Sequence, residues 1–291
     1  MGQQLIVAAH AKINLALDVL RKREDGYHEV AMVMQSVGLA DRVGLCERPE
    51  GIRVSTDLAG LDCGPTNLAY RAAALLQERF SVRRGAEIVL EKHIPLAAGL
   101  AGGSADAAAV LQGLNRLWDL RLPQDTLAEL GSLLGSDVPF CIKGGTMLAT
   151  GRGEILAPLP AMPHAWVVLA KPPVAVSTAW VYGQFSSQAV VHRPNLDGMI
   201  ASLHRADGSG VAGQLCNVLE TVTIPAYPEI AAIKKLMLEH GAVASLMSGS
   251  GPTVFGLAVT RERAEEIAAV LRSSQVGWVA VTETVQELGE S

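Results

Sequence analysis

Residues 95–109 read PLAAGLAGGSADAAA and join a predicted strand to a predicted helix. Residues 86–92 alternate apolar and polar side chains, with Ile88 and Leu90 on one face, which predicts the strand. Apolar residues between 107 and 118 recur at helical spacing and predict the helix. The unpaired N–H groups and the dipole at a helix start favour an anion, and glycines let a phosphate approach the backbone closely. This stretch therefore indicates either a phosphate-binding loop or a tight turn that packs a helix of small residues against a sheet.

The glycines of this stretch do not follow the two best-known nucleotide-binding patterns. A Walker-type loop has a lysine after its last glycine, whereas Ser104 follows Gly103 directly. A dinucleotide-binding fingerprint has two glycines separated by one residue, whereas two residues separate Gly99 from Gly102. Glycine content alone leaves both interpretations open.

The composition is typical of a folded protein, and a chain of 291 residues is long enough for a sizeable core and two domains. The net charge of −5 argues against a nucleic-acid partner, which would require a basic surface. No apolar run is long enough to predict a membrane span. Cys46, Cys63, Cys141 and Cys216 have no paired spacing, and the seven histidines are dispersed. We therefore expect reduced thiols, a cytoplasmic location and no cluster of metal ligands.

Hydrophobic patterning predicts strands and helices along the whole chain. In the first half we expect strands over residues 6–18, 27–39, 42–46, 52–55, 86–92 and 144–150, and helices from a cap at 66–67 to about 80, over 107–118 and over 124–134. In the second half we expect strands over 166–170, 244–247, 253–259 and 278–285, helices over 178–185, 196–204, 212–219, 228–239 and 262–272, and a flexible loop over 205–210. Pro158, Pro160 and Pro163 place a domain boundary near residue 160, which divides the chain into 1–160 and 161–291.

Two charged residues outside the glycine-rich stretch are candidates for chemistry. Lys12 lies on the polar face of the first predicted strand, where it is either a solvent-exposed lysine or a fixed cation beside a phosphate or a reacting hydroxyl. Asp137, in the segment GSDVPF at 135–140, either caps a new helical turn or accepts a proton from an attacking hydroxyl. Neither residue is decisive by itself.

Aromatic residues and a second glycine-serine turn are further candidates. Tyr27 and His28 follow the Asp-Gly turn at 25–26, and they either contact a planar ring or pack within an ordinary hairpin. Tyr182 has the same two interpretations. Residues 248–252 read SGSGP and form either a flexible hairpin loop or a backbone surface that approaches a ligand.

Taken in order along the chain, these segments resemble the GHMP small-molecule kinases. The motifs are AKINL at 11–15, DGYH at 25–28, the glycine-rich segment at 95–108, GSDVPF at 135–140 and MSGSGPT at 247–253. The likeness runs from about residue 8 to residue 285. It implies a two-domain α+β fold, with an N-terminal α/β domain that carries the phosphate loop and a ferredoxin-like C-terminal domain. ATP and the substrate are expected to meet in the cleft between them.

The DGYH and GSDVPF segments narrow the resemblance. They are similar to the GHMP kinases of the non-mevalonate isoprenoid precursor pathway. This similarity implies ATP-dependent phosphorylation of the 2-hydroxyl of a methylerythritol that carries a cytidine diphosphate group. Such a partner is a small molecule, so neither a nucleic acid nor a membrane is expected to bind.

The resemblance also implies roles for individual residues. Asp137 is expected to take the hydroxyl proton, and Lys12 to orient the aspartate and the substrate and to stabilise charge. Ser104 is expected near Mg²⁺. The residues expected to bind ATP are Asn67, Lys92, Pro95, Ala98, Gly99, Leu100, Ala101, Gly102, Gly103 and Ser104. The residues expected to bind the cytidine substrate are Asn14, Tyr27, His28, Ser177, Thr178, Tyr182, Gly249 and Ser250. Among these, His28 is expected to form a hydrogen bond with cytosine, and Tyr27 and Tyr182 are expected to stack against the cytosine ring.

The sequence departs from the family pattern in two respects. Several GHMP kinases use an additional acidic ligand for Mg²⁺, and no such residue is identified in this sequence. Ala97, Ala98 and Ala101 occupy positions where other members carry more glycine, and a methyl group is tolerable there only if the backbone keeps φ negative. This departure could shift affinity but hardly the chemistry.

Two alternatives remain open at this point. One is a GHMP kinase for another small alcohol, such as mevalonate or homoserine, although Tyr27, His28 and Tyr182 have no purpose for a substrate without a nucleobase. The other is a non-catalytic ligand sensor with the same fold. The presence of both Lys12 and Asp137 argues against the sensor.

Overall fold

The computed structural model describes residues 4–286, in which the strands form two sheets. The strands are β1 (Leu5–Lys22), β2 (His28–Arg48), β3 (Ile52–Thr56), β4 (Gly85–Glu91), β5 (Thr146–Thr150), β6 (Ile155–Pro158), β7 (Trp166–Lys171), β8 (Cys216–Asn217), β9 (Ala244–Met247), β10 (Val254–Ala258) and β11 (Trp278–Glu283). The α-helices are α1 (Leu68–Phe80), α2 (Gly102–Leu117), α3 (Gln124–Ser132), α4 (Val138–Lys143), α5 (Thr178–Gln184), α6 (Leu196–His204), α7 (Gly208–Gly213), α8 (Glu220–Ala226), α9 (Glu229–Glu239) and α10 (Arg261–Ser273). A helix long and apolar enough to cross a membrane does not occur between residues 4 and 286.

The first sheet is built on a long antiparallel hairpin of β1 and β2. Its strand order is β3-β4-β2-β1-β8, and β5 and β6 branch from β2. Helix α2 packs on both β1 and β2, and α1 packs on α2. The two strands predicted over 27–39 and 42–46 form one continuous strand, because residues 40 and 41 continue the pairing with His10 and Ala9 of β1.

The middle of β1 is buried on both faces. Residues 11–19 are all buried, including Lys12 at 4%, Asn14 at 0% and Asp18 at 7% exposure. The interpretation of Lys12 as a solvent-exposed strand lysine is therefore wrong. Alternation in a strand marks one face as polar, but it does not distinguish a face in water from a face that lines a cavity.

The second sheet has the order β11-β7-β10-β9 and is antiparallel throughout. Helices α9 and α10 pack against its strands, and α10 connects β10 to β11. Two strand–helix–strand units joined by the β9–β10 hairpin give the ferredoxin-like arrangement that the resemblance implied.

The structure contradicts the helix predicted over 212–219. Helix α7 already begins at Gly208, because the side chain of Asp207 accepts a hydrogen bond from the N–H of Gly210 at 2.8 Å. The chain then forms β8, which pairs with Ala16 and Leu17 of β1, and a new helix begins at Glu220. The flexible loop predicted over 205–210 is likewise helical from residue 208 onwards.

Segments from the second half of the chain contact the first sheet. Besides β8, residues near the end of the described chain bind β2: Val285 donates its N–H to Ser36 O at 2.9 Å, and Gln35 donates its side-chain amide to Val285 O at 2.7 Å. The domain boundary near residue 160 stays a prediction. Hydrogen bonds join residues on its C-terminal side to β1 and β2 on its N-terminal side.

Candidate active site

A cavity of about 790 Å³ lies between the glycine-rich stretch, the β1–β2 hairpin and the loop at 248–252. Most of the residues that the sequence singled out line it, namely Lys12, Asn14, Tyr27, His28, Lys92, Pro95, Ala98, Gly99, Ala101, Gly102, Gly103, Ser104, Asp137, Thr178, Tyr182, Gly249 and Ser250. The fold thus brings the phosphate loop, the charged pair and the aromatic residues to one place.

Three of the singled-out residues do not line this cavity. The side chain of Asn67 caps α1 by accepting from the N–H of Ala69 at 2.8 Å. Leu100 is fully buried, and its carbonyl accepts the N–H of Lys12 at 3.2 Å. Ser177 caps α5. These residues shape the elements behind the cavity wall, so their expected contacts with ATP or substrate are not supported by this geometry.

The glycine-rich loop presents an open helix start to the cavity. Ala101 occupies the N-cap position of α2 with φ 60° and provides no side-chain cap. Gly102, Gly103 and Ser104 form the first turn, in which the N–H groups have no intrahelical acceptor, and all three line the cavity. An uncapped helix start of this kind can bind a phosphate.

Two alanines of this loop do not meet the condition of a negative φ. Ala97 has φ 49° and Ala101 has φ 60°, whereas Ala98 is not in the left-handed region. Left-handed geometry costs an alanine roughly 1–2 kcal/mol relative to its usual conformations. The surrounding contacts therefore impose the shape of this loop.

Gly99 lies where the loop at 248–252 touches the phosphate loop. Its φ is +73°, and an added Cβ would lie 2.3 Å from the carbonyl oxygen of Ser248. The hydroxyl of Ser248 donates to Gly99 O at 2.9 Å. The side-chain amide of Asn217 donates to Met247 O and Gly249 O, both at 2.8 Å. The second loop is thereby fixed against the first, and it is not a free hairpin tip.

Lys12 and Asp137 form an ion pair on the cavity wall. Nζ of Lys12 lies 3.7 Å from Oδ2 of Asp137 and donates to Oδ1 of Asn14 at 2.7 Å. Asp137 precedes α4, but its side chain makes no capping hydrogen bond, so it does not act as a helix cap. Its side chain is 30% exposed, against 5% for Lys12. A carboxylate held beside an ammonium and accessible from the cavity can accept a proton from a bound hydroxyl.

Aromatic side chains form another part of the cavity wall. The rings of His28 and Tyr182 lie 5.2 Å apart between centroids and are tilted by 35°. Burial lowers the pKa of His28, with a smaller contribution from the charge of Lys22. Burial, followed by the charge of Asp137, raises the pKa of Tyr182. A neutral imidazole and a neutral phenol can contact an uncharged heterocycle.

Two cationic residues beside these aromatic rings, Lys22 and Arg152, were not predicted from the sequence. The guanidinium carbon of Arg152 lies 5.1 Å from the centroid of the Tyr27 ring, and both Lys22 and Arg152 line the cavity. Arg152 is oriented by Glu154, whose Oε1 lies 3.2 Å from its Nε. The GRGE turn at 151–154 places Arg152 directly after the strand predicted over 144–150. That position could have marked Arg152 as a candidate, but its contact with Tyr27 depends on the fold.

Lys92 lines the cavity with its backbone and not with its ammonium group. Its side chain is only 2% exposed, and Nζ binds the carboxylates of Asp41 and Asp106. Burial raises the pKa of Asp106 to about 7, an effect that the charge of Lys92 opposes and that of Asp41 reinforces. The ammonium is therefore already paired and does not reach the cavity.

The chain also matches known protein families and relatives. The sequence patterns of the GHMP kinases N terminal domain and of the GHMP kinases C terminal domain match residues 67–145 and 199–276. The 4-diphosphocytidyl-2-C-methyl-D-erythritol kinase of Geobacillus kaustophilus is 52% identical over 289 residues, which cover 99% of this chain and 98% of that protein. The chain belongs to the GHMP kinase family. The prediction of an ATP-dependent small-molecule kinase is thereby confirmed.

Solved structures share the fold of this GHMP kinase. The crystal structure of a 4-(cytidine 5'-diphospho)-2C-methyl-D-erythritol kinase superposes with a TM-score of 0.83 and 35% identity, covering 96% of this chain and 99% of that one. Homoserine kinase from Cytophaga hutchinsonii superposes with a TM-score of 0.76 over 99% of this chain and 96% of that one. At 22% identity, the second likeness shows the fold alone. The predicted two-domain GHMP kinase fold is confirmed.

Proposed function

We propose that this GHMP kinase transfers the γ-phosphoryl group of ATP to the 2-hydroxyl of 4-diphosphocytidyl-2-C-methyl-D-erythritol, a step of the non-mevalonate isoprenoid precursor pathway. The observation that carries this proposal is one cavity lined by the His28–Tyr182 ring pair, the Lys12–Asp137 ion pair and the open start of α2. The ring pair suits a nucleobase, the ion pair suits a reacting hydroxyl and the helix start suits phosphates. The similarity to the Geobacillus kinase along nearly the whole chain supports the same substrate.

The chemistry assigned to Asp137 and Lys12 is proton transfer and charge stabilisation. The substrate oxygen attacks the γ-phosphorus, the bond from that phosphorus to the β–γ bridging oxygen breaks, and ADP departs. Asp137 accepts the hydroxyl proton and later releases it to water. Lys12 lies 3.7 Å from the carboxylate and stabilises negative charge that spreads over the transferred group. Positioning and electrostatics supply the acceleration, without a covalent enzyme intermediate.

The nucleotide phosphates are assigned to the loop and to the first turn of α2. Residues 98–104, apart from the buried Leu100, offer backbone N–H groups and little side-chain bulk. Among residues 4–286, no group of three or more His, Cys, Asp or Glu side chains is placed to hold a metal ion. The donor set therefore fits Mg²⁺ that is bound largely by the nucleotide and water, with the hydroxyl of Ser104 as a protein ligand. Mg²⁺ bound in this way would neutralise phosphate charge during transfer.

The cytidine diphosphate group is assigned to the wall that Tyr27, His28 and Tyr182 form. His28 hydrogen-bonds cytosine, and the tyrosines contact the ring. Lys22 and Arg152 line the same part of the cavity and are assigned to the two phosphates, because their positive charges complement a diphosphate. Asn14, Thr178, Gly249 and Ser250 are assigned to the methylerythritol, and Thr178 and Ser250 already share a hydrogen bond of 2.9 Å between their hydroxyls.

A coupled ADP-release assay tests the proposed substrate. The enzyme is given MgATP with the cytidine substrate, with mevalonate or with homoserine. We expect ADP release with the cytidine substrate alone. Release with either of the other alcohols in its place would overturn the substrate assignment, and no release with any of them would favour the sensor alternative.

The four cysteines are free thiols in the structure, which supports the further proposal of a cytoplasmic location.

A further inference from the structure

The cluster of Asp41, Lys92 and Asp106 is buried beside the phosphate loop, and the reaction described above makes no use of it. The side chains are 0%, 2% and 5% exposed, respectively. Nζ of Lys92 donates to Oδ2 of Asp106 at 2.5 Å and to Oδ2 of Asp41. Oδ1 of Asp41 accepts the N–H groups of His93 and Ile94 at 2.6 and 2.8 Å. Burying charged groups is costly unless they are paired, as these three are, so the cluster is a candidate for a specific role.

The position of the cluster suggests what that use is. Residues 92–94 directly precede the phosphate loop at 95–104, and Asp106 lies in the N-terminal part of α2, just after that loop. The loop between them holds Ala97 and Ala101 at positive φ, a conformation that alanine does not favour. A Cβ on Gly102 would lie 3.0 Å from Ile94 Cγ2, so the entrance and the exit of the loop are in contact. The ammonium of Lys92 joins these two ends.

The two carboxylates of the cluster are not equivalent. Asp41 accepts hydrogen bonds from the ammonium and from two backbone N–H groups. Asp106 accepts from the ammonium alone, and its Oδ1 has no hydrogen-bond partner within residues 4–286. Loss of the Asp106 carboxylate would leave Asp41 and Lys92 as a neutral buried pair, which is compatible with folding. The bond between Lys92 and Asp106 can therefore be broken selectively.

We propose that Asp41, Lys92 and Asp106 form a clamp that holds the two ends of the phosphate loop at the separation that MgATP requires, with Asp106 as a positioning residue. The proposal rests on the proposed function only in that residues 98–104 bind the ATP phosphates. The side chain of Asp106 acts through Lys92 and does not touch the nucleotide. Its effect is expected on nucleotide binding and not on binding of the acceptor.

Three variants test the clamp. Asp106→Leu keeps the approximate shape of the side chain and removes the acceptor for Lys92, whereas Asp106→Asn keeps an acceptor oxygen. Asp119→Asn removes an exposed carboxylate just beyond the other end of α2 and is the matched control. If Asp106→Leu does not fold, Asp106→Ala replaces it. The measurements are KM for MgATP, KM for the cytidine substrate and the Kd of a non-hydrolysable ATP analogue by calorimetry.

We expect Asp106→Leu to raise KM for MgATP and Kd for the analogue about tenfold, because the unclamped loop would be in the binding conformation for only about a tenth of the time. KM for the cytidine substrate should stay within about twofold, Asp106→Asn should restore most of the nucleotide affinity, and Asp119→Asn should match the wild type. Parallel changes in both KM values, no change in either, or an Asn variant as impaired as the Leu variant would overturn the clamp. The calorimetric arm needs no acceptor, so a failure of the proposed substrate would leave the test of the clamp intact.

Discussion

Replacing Gly99 by alanine tests how the loop at 248–252 shapes the phosphate loop. The new Cβ would lie 2.3 Å from Ser248 O, and ordinary contacts begin at 3.4 Å, so one loop must move by about 1 Å. The positive φ costs roughly 1–2 kcal/mol and the overlap about 1–3 kcal/mol, while the stiffer unfolded chain returns about 0.4–1 kcal/mol. We expect the free energy of unfolding to fall by roughly 1–5 kcal/mol, with about 3 kcal/mol as the central value. The hydrogen bond from Ser248 to Gly99 should also weaken, so the affinity for an ATP analogue should fall.

Urea denaturation of matched glycine variants separates these contributions. Gly26→Ala has the same kind of positive φ, +85°, with nothing within 4 Å of the added Cβ, so it should lose only about 1 kcal/mol. Gly183→Ala, in α5, has neither a positive φ nor a nearby atom, and it should be neutral or stabilised by up to about 1 kcal/mol. If Gly99→Ala were no less stable than Gly26→Ala, contact with Ser248 would not be the reason for the glycine.

Three further predictions concern the catalytic and binding residues. Asp137→Asn should lower kcat by about 10²–10⁴-fold with the affinity for the ATP analogue unchanged, and near-normal turnover would exclude Asp137 as the base. The pKa of His28 is lowered in the folded protein, so the unfolded chain binds more protons just below pH 6.5, and the free energy of unfolding should decrease as the pH is lowered through that range. Urea denaturation should show a smaller decrease in His28→Gln, and an identical pH dependence in the two proteins would contradict this prediction. Ser104→Ala should raise the Mg²⁺ concentration needed for half-maximal rate, measured at saturating ATP, and an unchanged Mg²⁺ dependence would remove Ser104 as a ligand.

Local patterns in the sequence predict much of this fold. Strand alternation and helical spacing locate β4 and α2 on either side of the glycine-rich stretch, because their core faces repeat with the periods of strand and helix. The prediction over 212–219 fails because β8 owes its conformation to partners far away in the chain. These are Ala16 and Leu17 of β1 and the loop carbonyls that Asn217 holds. No local period encodes such contacts.

The site shows the same division between local and distant information. The residues near the reacting groups, Lys12 and Asp137, belong to motifs that the sequence shows, and the fold brings them within 3.7 Å of each other. The exclusion of the Lys92 ammonium from the cavity depends on Asp41 and Asp106, which are 51 and 14 positions away. The left-handed Ala97 and Ala101 likewise require contacts outside the loop. Sequence motifs indicate which residues gather, whereas tertiary partners decide which of their atoms are free.

The short strand β8 has a consequence for how the protein is made. On the ribosome, residues 1–160 emerge with the edge of β1 at Ala16 and Leu17 unpaired until residues 216–217 follow. Val37 of β2 waits still longer for its bridge to Thr284, as do the carbonyl of Ser36 and the side-chain amide of Gln35 for Val285. Unpaired strand edges are templates for association with other chains. The nascent kinase is thus exposed to misassembly until residues 216–217 and 284–285 have been translated and complete the first sheet.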